Sequence, residues 1–291
     1  MVRRTADASH RRRRHIRRVF DAQVREEWRR YAGEPPRILR RTLRERFLRR
    51  HLRGSSQTVL ELGPGPGRFT PILRRATRGR LVALDLSLEA LRSARRRARR
   101  RPRLSRIDWV QGAGECLPLR ARSIDEVVAF GNVVSFAALD GPVLLKELGR
   151  VVKPRGLLLA DFASPAAATQ EFLYVAARRR LLGRILRHPD HYFLDRVLTT
   201  GLQPLAPDRL ARWEFRFYTA AEAEKELARA GFRMIDVMSV APIAAHQDRV
   251  AAIARREERT WETLLRIEER VGRRPGVFEM GDGFLIAAVR K

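Results

Sequence analysis

The sequence is poor in several residue types that carry familiar chemistry. Cys116 is its single cysteine, so no intrachain disulfide and no cysteine-rich metal site can form. Asparagine also occurs once, at Asn132, and only four of the 61 basic residues are lysine.

Long apolar runs are absent as well. The best candidate covers 157–168 and is interrupted by Asp161, whereas about 20 apolar residues are needed to span a bilayer. Residues 1–18 are strongly basic and lack the apolar segment of a secretory signal. We therefore expect a soluble, cytoplasmic protein without membrane insertion.

The charge balance is extreme. The net charge is +28 over 291 residues. Many charges and few thermolabile residues are typical of heat-adapted (thermophile) proteins, but a compositional bias of the genome would give the same excess of arginine. Basic runs at 11–18, 95–103 and 178–184 could follow an RNA backbone, or they could be solvated helix faces. Few aromatic residues accompany them for base stacking.

Short apolar segments alternate with amphipathic helical segments over most of the chain. We predict strands at 58–62, 81–84, 107–110, 124–130, 157–162, 232–240 and 284–289. Near-continuous apolar strands separated by helices indicate a parallel sheet covered on both faces. Before the sheet, 1–9 are expected to be irregular, whereas 10–31 and 37–52 have helical periodicity. Trp28 and Tyr31 of the first predicted helix are expected to be packing residues that cover a ligand site.

The segment 59–70 reads VLELGPGPGRFT and places a glycine-rich loop directly after the first predicted strand. Such a loop lets a ligand approach the backbone closely, while the prolines hold its shape. The dinucleotide-binding pattern G-x-G-x-x-G fails because its third glycine would be Arg68, and no lysine follows for a P-loop. What remains is the spacing E-x-G-x-G-x-G, formed by Glu61, Gly63, Gly65 and Gly67.

Together with five further segments, this loop resembles the class I S-adenosylmethionine-dependent methyltransferases. The other segments, in the family's order, are LVALDLS, VQGAGECLPL, SIDEVVAF, LLKELGRVVKPRGLLL and FYTAAEAEKELARAGF. The resemblance implies an α/β fold with a seven-stranded, doubly wound, mostly parallel Rossmann-like sheet whose last strand is antiparallel. An N-terminal helical cap and an inserted helical lid would be added to it. It also implies methyltransferase activity with the cofactor S-adenosyl-L-methionine.

The resemblance further implies cofactor-binding roles for matching residues. Asp85 would accept hydrogen bonds from both ribose hydroxyls, because a carboxylate offers two acceptor oxygens. The amino-acid end of the cofactor would meet Glu61 and the loop formed by Gly63, Pro64, Gly65 and Gly67.

Adenine would lie between Leu86 and the loop that contains Ala113, Gly114 and Glu115. The sequence departs from the family here, because Ala113 stands where an acid usually accepts a hydrogen bond from the adenine amino group. Glu115 could take that role, and the residues leave this open. A second departure is Arg155, which replaces a glycine in KPRG and favours a type I turn there.

The residues on the acceptor side are less informative. Asn132 follows the fourth predicted strand, at the sheet edge where ligands bind in such folds, and it could contact cofactor or substrate. Tyr218 and His246 flank the last helix–strand unit and are weak candidates for a general base. The cluster HPDH at 188–191 could bind a metal, but a polar turn is the better interpretation, so no metal site is predicted.

We divide the chain into a basic N-terminal helical cap (1–53), a cofactor-binding core (54–164), an inserted lid (165–217) and a C-terminal part of the core (218–291) with a helical insertion at 241–280. Catalysis would rest largely on positioning two reactants for in-line methyl transfer. A cap and a lid favour a small-molecule acceptor. The charge leaves open an RNA (tRNA or rRNA) methyltransferase, and a non-catalytic RNA-binding protein with this fold is a third alternative.

Overall fold

A computed structural model gives the fold and describes residues 2–29, 33–54, 58–77, 79–100, 106–187, 194–204 and 213–291. Within these residues, seven strands form one sheet and two more form a short hairpin. The HPDH cluster at 188–191, Tyr31 and part of the basic run at 95–103 lie outside the described residues.

The main sheet is mostly parallel. In chain order it contains β1 (Val59–Leu62), β2 (Leu81–Asp85), β3 (Ile107–Gln111), β4 (Ile124–Ala129), β5 (Val152–Phe162), β8 (Phe232–Ser239) and β9 (Phe284–Arg290). The hairpin consists of β6 (Leu202–Gln203) and β7 (Phe215–Arg216). The spatial order is β3-β2-β1-β4-β5-β9-β8; β9 runs antiparallel to β5 and β8, and the other neighbouring pairs in this sheet are parallel. The predicted seven-stranded sheet with an antiparallel last strand is confirmed.

Helices flank this sheet. They are α1 (Val2–Arg29), α2 (Pro35–His51), α3 (Thr70–Ala76), α4 (Leu88–Arg99), α5 (Val133–Phe136), α6 (Gly141–Val151), α7 (Pro165–Arg178), α8 (Leu182–Leu186), α9 (Leu194–Thr200), α10 (Ala220–Arg229), α11 (Asp248–Ala254) and α12 (Glu258–Gly272). Several begin at residues whose side chains satisfy free backbone N–H groups. The hydroxyls of Ser87 and Ser164 each accept a bond of 3.0 Å at the start of α4 and α7, and Thr219 forms a capping box with Glu222 before α10.

Two apolar cores lie on the opposite faces of the sheet. Along β1, Leu60 and Leu62 belong to one core and Val59 to the other, because successive side chains of a strand point to opposite faces. The first core also contains side chains of α6 and α10, and the second contains side chains of α2 and α12. A third cluster joins Phe136 to the 165–217 segment through Phe215.

Two local predictions are wrong. Residues 2–9 are helical and not irregular, and the first turns of α1 are anchored because Ser9 donates a hydrogen bond of 2.7 Å to Asp140. Arg155 has a φ of +62°, the sign that the third residue of a type II turn requires and a type I turn excludes. The backbone is constrained at this point, since the Arg155 carbonyl accepts a hydrogen bond of 2.9 Å from Arg53.

Candidate functional site

A cavity lies at the carboxyl edge of the sheet, where β1, β2 and β4 end. One wall is formed by the glycine loop after β1, the residues that follow β2, the loop after β3 and the turn after β4. Helix α1 crosses this edge and supplies a second wall. The cavity thus lies between elements of the α/β core and the N-terminal helix.

The glycine loop brings bare backbone to the cavity. Gly63, Gly65 and Gly67 have φ values of +68°, +53° and +85°, which residues with a side chain rarely adopt. A Cβ on Gly63 would lie 2.5 Å from the Val133 side chain, whereas a Cβ on Gly65 would meet no atom within 4 Å. Pro64 also lines the cavity, and its carbonyl accepts a hydrogen bond of 2.9 Å from Gly67. Gly65 therefore leaves room for a ligand against the loop.

Glu61 of β1 places a carboxylate beneath this loop. The residue is 3% exposed, and its Oε2 atom has no hydrogen-bond partner among the described residues. Burial raises the pKa of Glu61 to about 8, because a charged carboxylate loses its hydration inside the protein. A buried acceptor without a donor is unusual in proteins, and a cationic ligand group would supply that donor.

Asp85 ends β2 and organises the neighbouring backbone. Its Oδ2 accepts a hydrogen bond of 2.9 Å from the Gly65 N–H, and its Oδ1 accepts one of 2.8 Å from the Ser87 N–H. Burial raises the pKa of Asp85 to about 6. The carboxylate still has free lone pairs for a diol. Leu86, the next residue, also lines the cavity.

The loop after β3 forms the end of the cavity beside Leu86. Ala113, Gly114 and Glu115 all line it, and a Cβ on Gly114 would lie 2.8 Å from the Leu144 side chain. Burial raises the pKa of Glu115. Glu115 therefore faces the same cavity as Asp85, as a substitute adenine acceptor would have to do.

A stripe along one face of α1 lines the cavity. After the adjacent Arg12 and Arg13, its members follow at intervals of three or four positions, as residues on one helix face do; they are Ile16, Phe20, Val24 and Glu27. Arg12 holds the helix in place with bonds of 2.7 Å to Asp140 and 2.6 Å to Glu214. Trp28, expected over the cofactor, does not line the cavity and instead lies between the guanidinium groups of Arg68 and Arg97.

Aromatic side chains support the cavity wall beneath α1. Phe20 and Phe136 line the cavity, and their ring centroids are 4.9 Å apart in an edge-to-face arrangement. Phe215 and Trp213 pack behind Phe136, at 4.7 and 5.4 Å. The 165–217 segment thereby buttresses the cavity wall.

The three candidate catalytic residues lie outside the residues that line the cavity. Asn132 is 8% exposed, has a left-handed φ of +61° and is flanked by two lining residues without lining the cavity itself. Tyr218 is fully buried against Phe162, and burial raises its pKa to about 12. His246 packs on Tyr174, with ring centroids 5.2 Å apart. The structure therefore does not bring these three side chains together in the cavity.

A buried ionic network supports the turn after β4. Arg44 of α2 and Asp161 of β5 are each 1% exposed, and Nε donates to Oδ2 at 3.0 Å. The other carboxylate oxygen of Asp161 accepts a hydrogen bond of 2.6 Å from the Asn132 N–H. Arg44 also bonds to Asp282 at 2.9 Å. A charge inside the apolar run of β5 was the sequence signal for this network, because a buried charge needs a partner.

Metal and membrane features are lacking in the part of the chain that the structure describes. It contains no group of three or more His, Cys, Asp or Glu side chains arranged to hold a metal ion. It also contains no helix long and apolar enough to cross a membrane.

Similarity to known proteins points to one class of enzyme. Residues 59–156 match a family model described as a methyltransferase domain. The chain is 35% identical over 194 residues to malonyl-[acyl-carrier protein] O-methyltransferase of Halorhodospira halophila, covering 65% of this chain and 61% of that protein. It is 29% identical over 129 residues to the ubiquinone/menaquinone biosynthesis C-methyltransferase UbiE of Rubrivivax gelatinosus, covering 44% and 48%. A solved S-adenosylmethionine-dependent methyltransferase of Thermotoga maritima shares the fold, with a TM-score of 0.59 and 16% identity over 94% of this chain and 99% of that one.

The fold and the site define an α/β protein with a glycine loop after β1 and an acid at the end of β2. With these similarities, residues 59–156 form a methyltransferase domain, and the chain shares the fold of S-adenosylmethionine-dependent methyltransferases. The matched segments span about half to three fifths of the two curated relatives. The family model ends before α7 and begins after α2, so α1 and the 165–217 segment lie outside it.

Proposed function

We propose that this protein is an S-adenosylmethionine-dependent methyltransferase that acts on a small, acidic molecule enclosed beneath α1. The observation that carries the proposal is the composition of the cavity, since the cofactor loops and one face of α1 line the same space. A cofactor bound at the loops would therefore leave its acceptor to be held against Phe20 and Phe136, whose apolar rings pack edge to face and suit a small molecule.

Three features of the cavity suit the cofactor, and they are observed in the structure without reference to related proteins. Glu61 offers a buried oxygen without a partner to an ammonium group, and Gly65 leaves open space against the loop. Asp85 lies beside it with lone pairs for the ribose hydroxyls. Glu115 is the proposed acceptor for the adenine amino group, because Ala113 has no polar side chain.

The protein contributes positioning and not proton transfer in this proposal. When bound, the cofactor supplies a methyl group on a sulfonium sulfur. None of the described residues that line the cavity is histidine, lysine or tyrosine, and three of its five carboxylates are assigned to the cofactor. Of the other two, Asp140 is occupied by Arg12, and Glu27 also has an interaction partner. The acceptor atom should therefore already be nucleophilic at neutral pH, as an oxygen of a carboxylate or an enolate is.

Arg13 is the reason to propose an acidic acceptor. It lines the cavity, and it forms no hydrogen bond or ion pair with any described residue, unlike Arg12 beside it. The charge of Arg13 also acts on Glu115 across the cavity, and its guanidinium donors can bind an anionic ligand group there. The relative from Halorhodospira is named for O-methylation of a malonyl group, which is an acceptor of this chemical kind.

Transfer of a labelled methyl group tests the proposal. The protein should transfer label from S-adenosylmethionine to acidic small molecules in a cell extract, and calorimetry should show binding of this cofactor and not of NAD. Arg13→Gln should weaken acceptor binding at least about tenfold, consistent with loss of a charged hydrogen bond, whereas Arg14→Gln on the exposed face of α1 should not.

The same experiment decides between the alternatives. Label found only in RNA would refute the small-molecule proposal and would indicate an RNA methyltransferase. Cofactor binding without transfer to either fraction would favour a non-catalytic protein that has kept the fold. The domain boundaries at 53/54, 164/165 and 217/218, the cytoplasmic location and the heat adaptation stay predictions from the sequence.

A further inference from the structure

A second concave surface lies between α1 and α4, apart from the glycine loop. Arg25 and Trp28 of α1 line one side, and Arg96, Arg97 and Arg100 at the end of α4 line the other. The groove therefore collects four arginines, which come from two helices that are far apart in the sequence.

The positive charge of this groove is not neutralised within the described part of the chain. Arg25, Arg96 and Arg100 are exposed and form no ion pair with any described residue. Two acids also line the groove. Asp21 accepts a hydrogen bond from Ser87 at 2.5 Å, keeps its negative charge and offsets one of the four arginines. Glu89 is paired with Arg92, outside the groove lining, at 2.6 Å.

Arg97 is held rigidly at the base of this cluster. Its guanidinium carbon lies 3.9 Å from the ring centroid of Trp28, and the guanidinium carbon of Arg68 lies 3.6 Å from the same ring. Such contacts are favourable cation–π interactions. Burial lowers the pKa of Arg97, and its neighbours Arg96 and Arg100 lower it further. An anion in the groove would relieve this repulsion between like charges.

We propose that this groove binds two or more adjacent phosphate groups, as in an oligophosphate or in the backbone of a nucleic acid. Guanidinium groups match phosphate oxygens in geometry and charge, and a cluster of four suits more than one phosphate. The ring of Trp28 is already in contact with two guanidinium groups, so recognition rests on charge and not on base stacking. The proposal does not depend on methyl transfer.

The test compares two pairs of charge reversals on the same helix. R96E/R100E reverses two arginines of the groove, whereas R95E/R99E reverses two exposed arginines of α4 outside it and changes the net charge equally. Binding of sodium triphosphate and of a fluorescent single-stranded RNA oligonucleotide would be measured at 50 and 200 mM salt, and thermal melts would confirm that both variants are folded.

The groove variant should bind at least about tenfold more weakly than the natural protein, and the control variant within about twofold of it. Loss of two phosphate contacts should also reduce the salt slope for single strands by roughly 1.4, since each contributes about 0.7. Triphosphate binding alone would identify a free oligophosphate as the ligand, and RNA binding that triphosphate fails to displace would identify an extended strand. Equal losses in both variants, or no binding of either probe, would overturn the proposal.

Discussion

Replacing Arg44 by methionine should destabilise the protein and loosen the turn after β4. The guanidinium is 1% exposed and bonds to Asp161 at 3.0 Å and to Asp282 at 2.9 Å. Asp161 in turn fixes the backbone of Asn132 through the bond of 2.6 Å from its N–H. Methionine fills a similar volume but has no charge, so the substitution would leave Asp161 buried without its ionic partner.

The expected loss is large because the pair is buried. Removing one partner of a buried ion pair costs about 3–5 kcal/mol, since the remaining charge is left without compensation. Arg41 on the same helix provides the matched control. Its side chain is 27% exposed and pairs with Glu45 at 3.3 Å, and such a helical pair contributes only about 0.3–0.5 kcal/mol.

Urea unfolding of four proteins would measure these effects: the natural chain, R44M, R41M and the double variant R44M/D161N. The double variant has no buried charge at this pair, and an amide oxygen can still accept the hydrogen bond from Asn132, so it should recover most of the lost stability. Affinity for the cofactor should fall in R44M and recover with the double variant. A loss below about 1 kcal/mol in R44M, or a double variant no more stable than R44M, would refute the reasoning; the first limit is well below the expected cost of breaking a buried pair.

Three further outcomes are expected. Affinity for S-adenosylmethionine should rise by up to about tenfold per pH unit between about pH 6 and 8. The reason is that the ammonium group of the cofactor needs an ionised Glu61, and the pKa of Glu61 is about 8 without the cofactor. Calorimetry should detect proton release on binding, and Glu61→Gln should make the affinity nearly independent of pH in this range. Since burial raises the pKa of Glu61, the unliganded protein should also lose stability as the pH rises from about 4.5 to 8. A pH series of urea titrations that shows no such loss relative to Glu61→Gln would contradict the raised pKa of Glu61. Gly63→Ala should destabilise the fold by at least about 1 kcal/mol, because φ is +68° and the new Cβ would lie 2.5 Å from Val133, whereas Gly276→Ala, with a similar φ and open space around it, should cost less in the same melts.

The positions of the strands along the chain and of the glycine loop could be predicted because both depend on local patterns. Apolar runs such as 81–84 end at turn residues, and the spacing E-x-G-x-G-x-G directly after a strand indicates a loop that a ligand approaches closely. The sequence predicts that Asp85 ends the second strand, and its role in the site is implied by the resemblance to the methyltransferase family. The positive φ of Arg155 could not be predicted, because arginine rarely adopts it and the hydrogen bond that its carbonyl accepts comes from Arg53, 102 positions away.

The supporting residues of the site depend on contacts between distant segments. Arg44 and Asp161 are 117 positions apart in the sequence, and Arg12 reaches Glu214 over 202 positions. The charge that interrupts β5 signals that a partner exists, but many arginines could have provided it. The stripe of α1 that faces the cavity was obscured for a similar reason, because arginines on both faces of that helix weaken its apolar pattern.

The two halves of the site therefore have different origins in the chain. The cofactor half lies within 59–156, the segment that the methyltransferase family model matches. The other wall comes from α1, and the buried support of the turn after β4 comes from α2 through Arg44, both of which precede that segment. Similarity in the matched segment thus carries information on the cofactor and little on the acceptor. For this protein, acceptor specificity should follow the residues that α1 places in the cavity, with Arg13 and Phe20 foremost among them.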